Sequence, residues 1–139
     1  MNILLWGLQV LLALAFLAHG VLFLSPPAAL ADQLNASLPR WFQLFLGVAE
    51  VLAAVGLTLP GATRIQPWLV PLAAAGIMFV MVSATIFHVM RGEIGPAFTT
   101  VVLLAMATFV AYMRWRVLPI ASRMGAGKKS PTPVATGIS

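Results

Sequence analysis

Long apolar runs, separated by short clusters of Pro, Gly and charged residues, divide the chain into four segments. Residues 3–24 form a run of 22 without a formal charge, interrupted only by Gln9 and His19. Residues 42–59 give 18 more with one carboxylate, Glu50. Residues 68–89 give 22 with His88 near the end, and residues 96–113 give 18 with Tyr112 as the one ionisable group. A helix needs about 20 apolar residues to cross a hydrocarbon core of roughly 30 Å, so each run is long enough or nearly so to span a bilayer. Between them, Ser25-Pro26-Pro27, Leu38-Pro39-Arg40, Pro60-Gly61 and Arg91-Gly92-Glu93-Ile94-Gly95-Pro96 read as loops. Pro71 falls in the first turn of the third run, where its missing N–H costs little. The pattern predicts an all-α polytopic membrane protein. Its four spans, with short connections, form an antiparallel bundle over residues 1–116, followed by a flexible basic tail over 117–139.

Composition strengthens this picture. Of 139 residues, 61% are hydrophobic and 8% charged, and the mean hydropathy is +1.01. Soluble domains carry roughly 25% charged residues, so eleven charges could not clothe a soluble core of this size. No cysteine is present, which removes disulfides, thiolate metal sites and iron–sulfur clusters. The net charge of +5 does not point to nucleic acid, because five of the eight basic residues lie beyond residue 113. That placement matches an orientation signal or anionic lipid.

Counting Lys and Arg sets a direction. Arg64, Arg114, Arg116, Arg123, Lys128 and Lys129 fall on the side of both termini, and only Arg40 and Arg91 on the other. The positive-inside rule then places both termini in the cytoplasm. Trp41, Trp68, Tyr112 and Trp115 mark span ends, as interfacial aromatics do. Ala29-Leu30-Ala31 resembles a signal-peptidase site, but no basic n-region precedes it and 22 residues is long for its apolar core.

Within the spans His19, Glu50 and His88 are the side chains that readily carry charge. Such residues are expensive in lipid and usually face a partner or a cavity. Along helix two, Glu50 shares a face with Gln43, Gly47, Ala53, Ala54 and Leu57, a stripe of small and polar residues that belongs against other helices. The arrangement allows an outward-facing pocket lined by His19, Gln43, Glu50 and His88, with Met81 and Thr85 below. The alternative makes Glu50 and Gln9 interhelical hydrogen bonders, His88 an interfacial anchor and the methionines filler. Two His and one Glu on separate helices lack the short spacing of a metal site. No catalytic motif occurs, so no residue is assigned a catalytic role. Arg91 and Glu93 read as a surface turn.

Three ordered pieces resemble the DoxX-like family of small bacterial membrane proteins. They are Ala13-Leu14-Ala15-Phe16-Leu17-Ala18-His19-Gly20, then Gly47-Val48-Ala49-Glu50-Val51-Leu52 running to Pro60, then Pro71-Leu72-Ala73-Ala74-Ala75-Gly76 running to Phe87-His88-Val89-Met90-Arg91-Gly92-Glu93. The resemblance implies a four-span bundle with a Glu in span two and a His ending span three, which map onto Glu50 and His88. Family members often carry a Lys a few residues after the span-one Gly; here Val21-Leu22-Phe23-Leu24 stands there, and His19 is the available substitute. The wider group is associated with quinone-linked sulfur oxidation and with membrane assemblies handling oxidative stress. The expectation is an accessory or binding subunit holding a quinone, a lipid or another small apolar ligand, or docking a redox protein partner. Alternatives are a structural or assembly role and, behind both, a membrane enzyme acting on a lipid-soluble substrate. A homo-oligomer is a further expectation; a transporter is less attractive, because four spans would need oligomerisation to enclose a pathway.

Overall fold

The computed structural model describes residues 2–123, and the Lys128 and Lys129 part of the tail lies outside them. Four long helices cross as the sequence pattern requires: α1 (Asn2–Leu24), α3 (Arg40–Thr63), α4 (Leu69–Met90) and α5 (Ile94–Tyr112), the last extended by a π-helical turn (Met113–Val117). Between the first two lies α2 (Ala28–Ser37), a short helix where the sequence reading expected only a loop. Its Ala-Ala-Leu-Ala-Asp-Gln-Leu composition favours helix, but it buries no residue and so carries no apolar periodicity. Pro27 and Pro39, both extended with ψ of 150° and 145°, lead the chain into α2 and α3. Among the described residues no strand occurs.

Helix α3 runs one turn past the expected stop at Pro60-Gly61. Proline removes a single backbone bond there, a loss tolerated in the last turn of a packed membrane helix. Arg64 ends the helix in the left-handed region at φ 58°.

The four spans are inside-out in the sense lipid demands. Only 28–33% of each span's most apolar window is buried within the protein. Phe45, Leu52, Phe79, Ile86 and Phe98 face outward, and the core is Leu12, Phe16, Leu57, Ile77, Met81 and Val110. Since lipid is as apolar as leucine, helix association rests on close packing and interhelical hydrogen bonds. Helix α1 packs most closely on α3, and α4 on α5; the α3–α4 seam joining the pairs is sparser.

The α1–α3 seam depends on two glycines. A Cβ on Gly20 would stand 2.9 Å from the Gly47 carbonyl oxygen, and one on Gly47 would stand 2.9 Å from that of Gly20. The backbones therefore touch, and neither obstacle is a side chain that could turn away. Gly20→Ala is expected to destabilise the bundle by about 1–3 kcal/mol through overpacking. Gly7→Ala, with nothing within 4 Å of the new atom, should be neutral or mildly stabilising. Denaturant titration in detergent micelles measures both; equal costs would show that the glycine contact does not hold the seam.

Candidate functional site

The Gly20–Gly47 contact places His19 beside Glu50. Glu50 lies one helical turn along α3 from Gly47 and is 3% exposed. His19 Nδ1 approaches its two carboxyl oxygens at 2.8 and 3.0 Å. The shared hydrogen can reside on the ring nitrogen or on the carboxyl, so the pair remains bonded in both arrangements. Unlike its partner, the His19 side chain is 52% exposed, and its ring meets Phe23 edge-on with centroids 4.7 Å apart. The pair thus joins a buried carboxyl to a group that reaches the surface of the bundle.

Glu50 also lines a cleft of about 390 Å3 along the α3–α4 seam. Its walls are apolar or small: Phe16 from α1, Ala53 and Gly56 from α3, Ala73, Gly76 and Val80 from α4. The small residues leave the space. A Cβ on Gly56 would already approach that of Ala73 to 2.9 Å, whereas one on Gly76 would meet nothing within 4 Å. An acidic group beside an otherwise apolar cleft can orient the polar head of an apolar molecule and exchange a proton with it.

The remaining candidates have other partners. Gln43 is fully buried, donating from Nε2 to Asn35 Oδ1 (3.1 Å) and the Leu38 carbonyl (2.8 Å) while accepting from Arg40 Nη1 (3.2 Å). It pins α2 to α3. His88 lies 2.6 Å from Glu93 Oε2, and the same carboxylate accepts from Arg91 Nε at 2.8 Å. Thr85 meets Thr100 of α5 at 2.8 Å, and Met81 fills the core. Of the six residues expected around one pocket, the structure brings His19 and Glu50 together and distributes the others over separate contacts.

Two arginines hold the ends of the bundle. Arg40 donates from Nη1 to the Phe23 carbonyl (2.9 Å) and from Nη2 to the Leu24 carbonyl (2.8 Å), capping α1. Arg114, counted in the sequence among the charges that set orientation, is 4% exposed. Its Nε donates to Gln9 Oε1 at 2.6 Å and its Nη1 to Asn2 Oδ1 at 2.9 Å, while Gln9 donates to the Leu57 carbonyl at 2.7 Å. The helix continues past Met113, which rotates Arg114 inward. A glutamine deep in span one and an arginine ending span four, at the same end of the bundle, were the available signal. Among the described residues no group of three or more His, Asp or Glu could hold a metal ion.

The sequence pattern of one family matches residues 7–110, most of the chain, reaching into all four spans. The chain belongs to the DoxX-like family. No curated protein and no solved structure matches it. DoxX-like membership and four apolar helices make this an integral, multi-pass membrane protein. Within this DoxX-like chain the family match runs over His19, Glu50 and His88 alike.

The turn between α4 and α5 offers a pH test. Its Arg91 guanidinium, then the His88 ring, hold the Glu93 carboxyl below the usual carboxylate range. A carboxyl with a depressed folded pKa stabilises the fold above the ordinary carboxylate range, and loses that contribution as pH falls through the depressed value. Carbon-detected titration of Glu93 should give a low midpoint that rises in Arg91→Gln; identical midpoints would separate Glu93 from Arg91.

Proposed function

We propose that this DoxX-like protein is a binding or accessory subunit of the membrane, holding a quinone, a lipid or another small apolar molecule in the α3–α4 cleft. The observation that supports this best is the pairing of opposites at one place. An almost fully buried carboxyl borders an apolar cleft of about 390 Å3, and its hydrogen-bonding partner is half exposed. Buried ionisable groups in a membrane commonly serve a ligand or a proton path. A ligand would enter sideways from lipid, its apolar body along Ala53, Ala73 and Val80 and its polar head towards Glu50. His19 would supply or remove the proton that Glu50 exchanges. Docking of a redox protein would make the same cleft a transfer point. With six basic residues on the side of the termini, the proposed setting is the inner membrane of a bacterium with both termini cytoplasmic.

A structural reading rests on a different observation: the His19–Glu50 bond bridges α1 and α3 above the Gly20–Gly47 contact, as interhelical glue would. The two readings part experimentally. Mass spectrometry of the lipids and quinones carried by the purified protein should show an enriched apolar species. Gly76→Leu, which fills the cleft from α4 at a position where an added Cβ meets nothing within 4 Å, should remove it with stability retained; Glu50→Gln should weaken its retention about tenfold, the worth of about one hydrogen bond. Full retention in Gly76→Leu, or no enriched species in the wild type, would leave the structural role as the function.

A further inference from the structure

The opposite end of the bundle, away from Glu50, carries arginines with no aspartate or glutamate side chain beside them. Its only acidic residues are Asp32, Glu50 and Glu93. Asp32 is on α2, Glu50 is paired with His19, and Glu93 is in the α4–α5 turn with His88 and Arg91. None is available to Arg64, Arg114 or Arg123. Arg114 shows the consequence: among the described residues it is bonded by neutral groups alone, and its buried Nη2 finds no hydrogen-bond partner there.

Arg64 and Arg123 instead flank an open pocket. A space of about 400 Å3 is lined by Ala62, Thr63, Arg64, Ile65 and Arg123. Neither guanidinium forms a hydrogen bond or ion pair with a described residue. The pocket is built by the fold rather than by two loose side chains. The Arg123 backbone N–H donates to the Arg64 carbonyl at 3.1 Å, fastening the segment after the π-helical turn to the end of α3. Ile120 of that segment packs onto Gly61, where an added Cβ would meet it at 2.9 Å, and Trp6 closes from α1. Arg64 holds φ 58°, a left-handed position that glycine usually fills at a helix end and that costs an ordinary residue about 1 kcal/mol. A side chain is kept there at the expense of backbone strain.

We infer that this pocket binds a phosphate group, with the Arg64 and Arg123 guanidinium groups as its two ligating cations. Guanidinium groups suit phosphate because their N–H donors match its oxygens in pairs. The pocket lies at the end of the spans, where lipid headgroups stand, and the exposed Trp68 follows its Ile65 by three residues in the chain. Thr63 Oγ1 is committed to the Leu59 carbonyl at 2.8 Å, and the last carbonyls of α3 disfavour an anion. Binding therefore rests on the two cations and weakens as salt rises.

The test is native mass spectrometry and thermal shift on the full chain in micelles. Phosphatidylglycerol, phosphatidylcholine and inorganic phosphate are added separately. Wild type should prefer phosphatidylglycerol about tenfold over phosphatidylcholine, given the attraction of two cations. That preference should vanish in Arg64→Gly/Arg123→Gln and persist in Arg116→Gln, an exposed arginine at the same end outside the pocket. Arg64→Gly relieves the backbone strain, so it should keep or raise the melting temperature while losing the anion. Stabilisation by inorganic phosphate as well as by the lipid makes the pocket a general phosphate site; stabilisation by the lipid alone makes it a headgroup site. A preference retained in the double variant, or lost equally in Arg116→Gln, overturns the assignment.

Discussion

Glu50 can lie 3% exposed among apolar helices because His19 meets it at 2.8 Å from the neighbouring helix. That meeting requires the backbones of α1 and α3 to touch. Gly20 and Gly47 permit it, each standing where a Cβ would strike the other's carbonyl oxygen. The dependence runs both ways. Without the glycines the histidine stands too far away, and without the histidine a buried carboxyl is left to lipid, where an unpaired polar group is costly. The remaining architecture follows from this choice. Helices α1 and α3 form one tight pair, α4 and α5 another with Thr85 and Thr100 across it, and the α3–α4 seam keeps a cleft beside Glu50.

The other buried polar side chains meet the same requirement of internal partners, except at Arg114 Nη2 among the described residues. Gln43 spends both ends of its amide on α2, Leu38 and Arg40. Gln9 joins the Leu57 carbonyl to Arg114 across three helices. Asp32, Glu50 and Glu93 all lie elsewhere, so no aspartate or glutamate side chain stands at the end with Arg64, Arg114 and Arg123. A protein built this way leaves charge at one end for the lipid or solvent to answer, and an acid–histidine pair within its outer wall.

Four spans were legible because a bilayer imposes length and apolarity on each, and neither depends on tertiary detail. The inward placement of Glu50 was also legible, since Gly47, Ala53 and Ala54 on its face mark a helix contact. Helix α2 was hidden, because a helix that buries nothing has no hydrophobic stripe to reveal it. Arg114 was hidden for a subtler reason. A basic residue just past a span reads as a topology signal, and only the continuation of the helix through Val117 turns it onto Gln9. His88 and Gln43 lay on plausible faces, but a face leaves open which neighbour a side chain selects. Glu93, five residues from His88 and beyond its helix, was the nearer acid.

The account turns on whether His19 and Glu50 are energetically coupled. A double-mutant cycle on unfolding in bicelles, using His19→Phe, Glu50→Gln and the pair together, isolates that energy. The account predicts a coupling on the order of 1–2 kcal/mol, with the double variant less destabilised than the sum of the single ones. Additive effects, with a coupling near zero, would contradict it: the contact would then be a neighbourhood without an interaction, and the bundle would be held by packing alone.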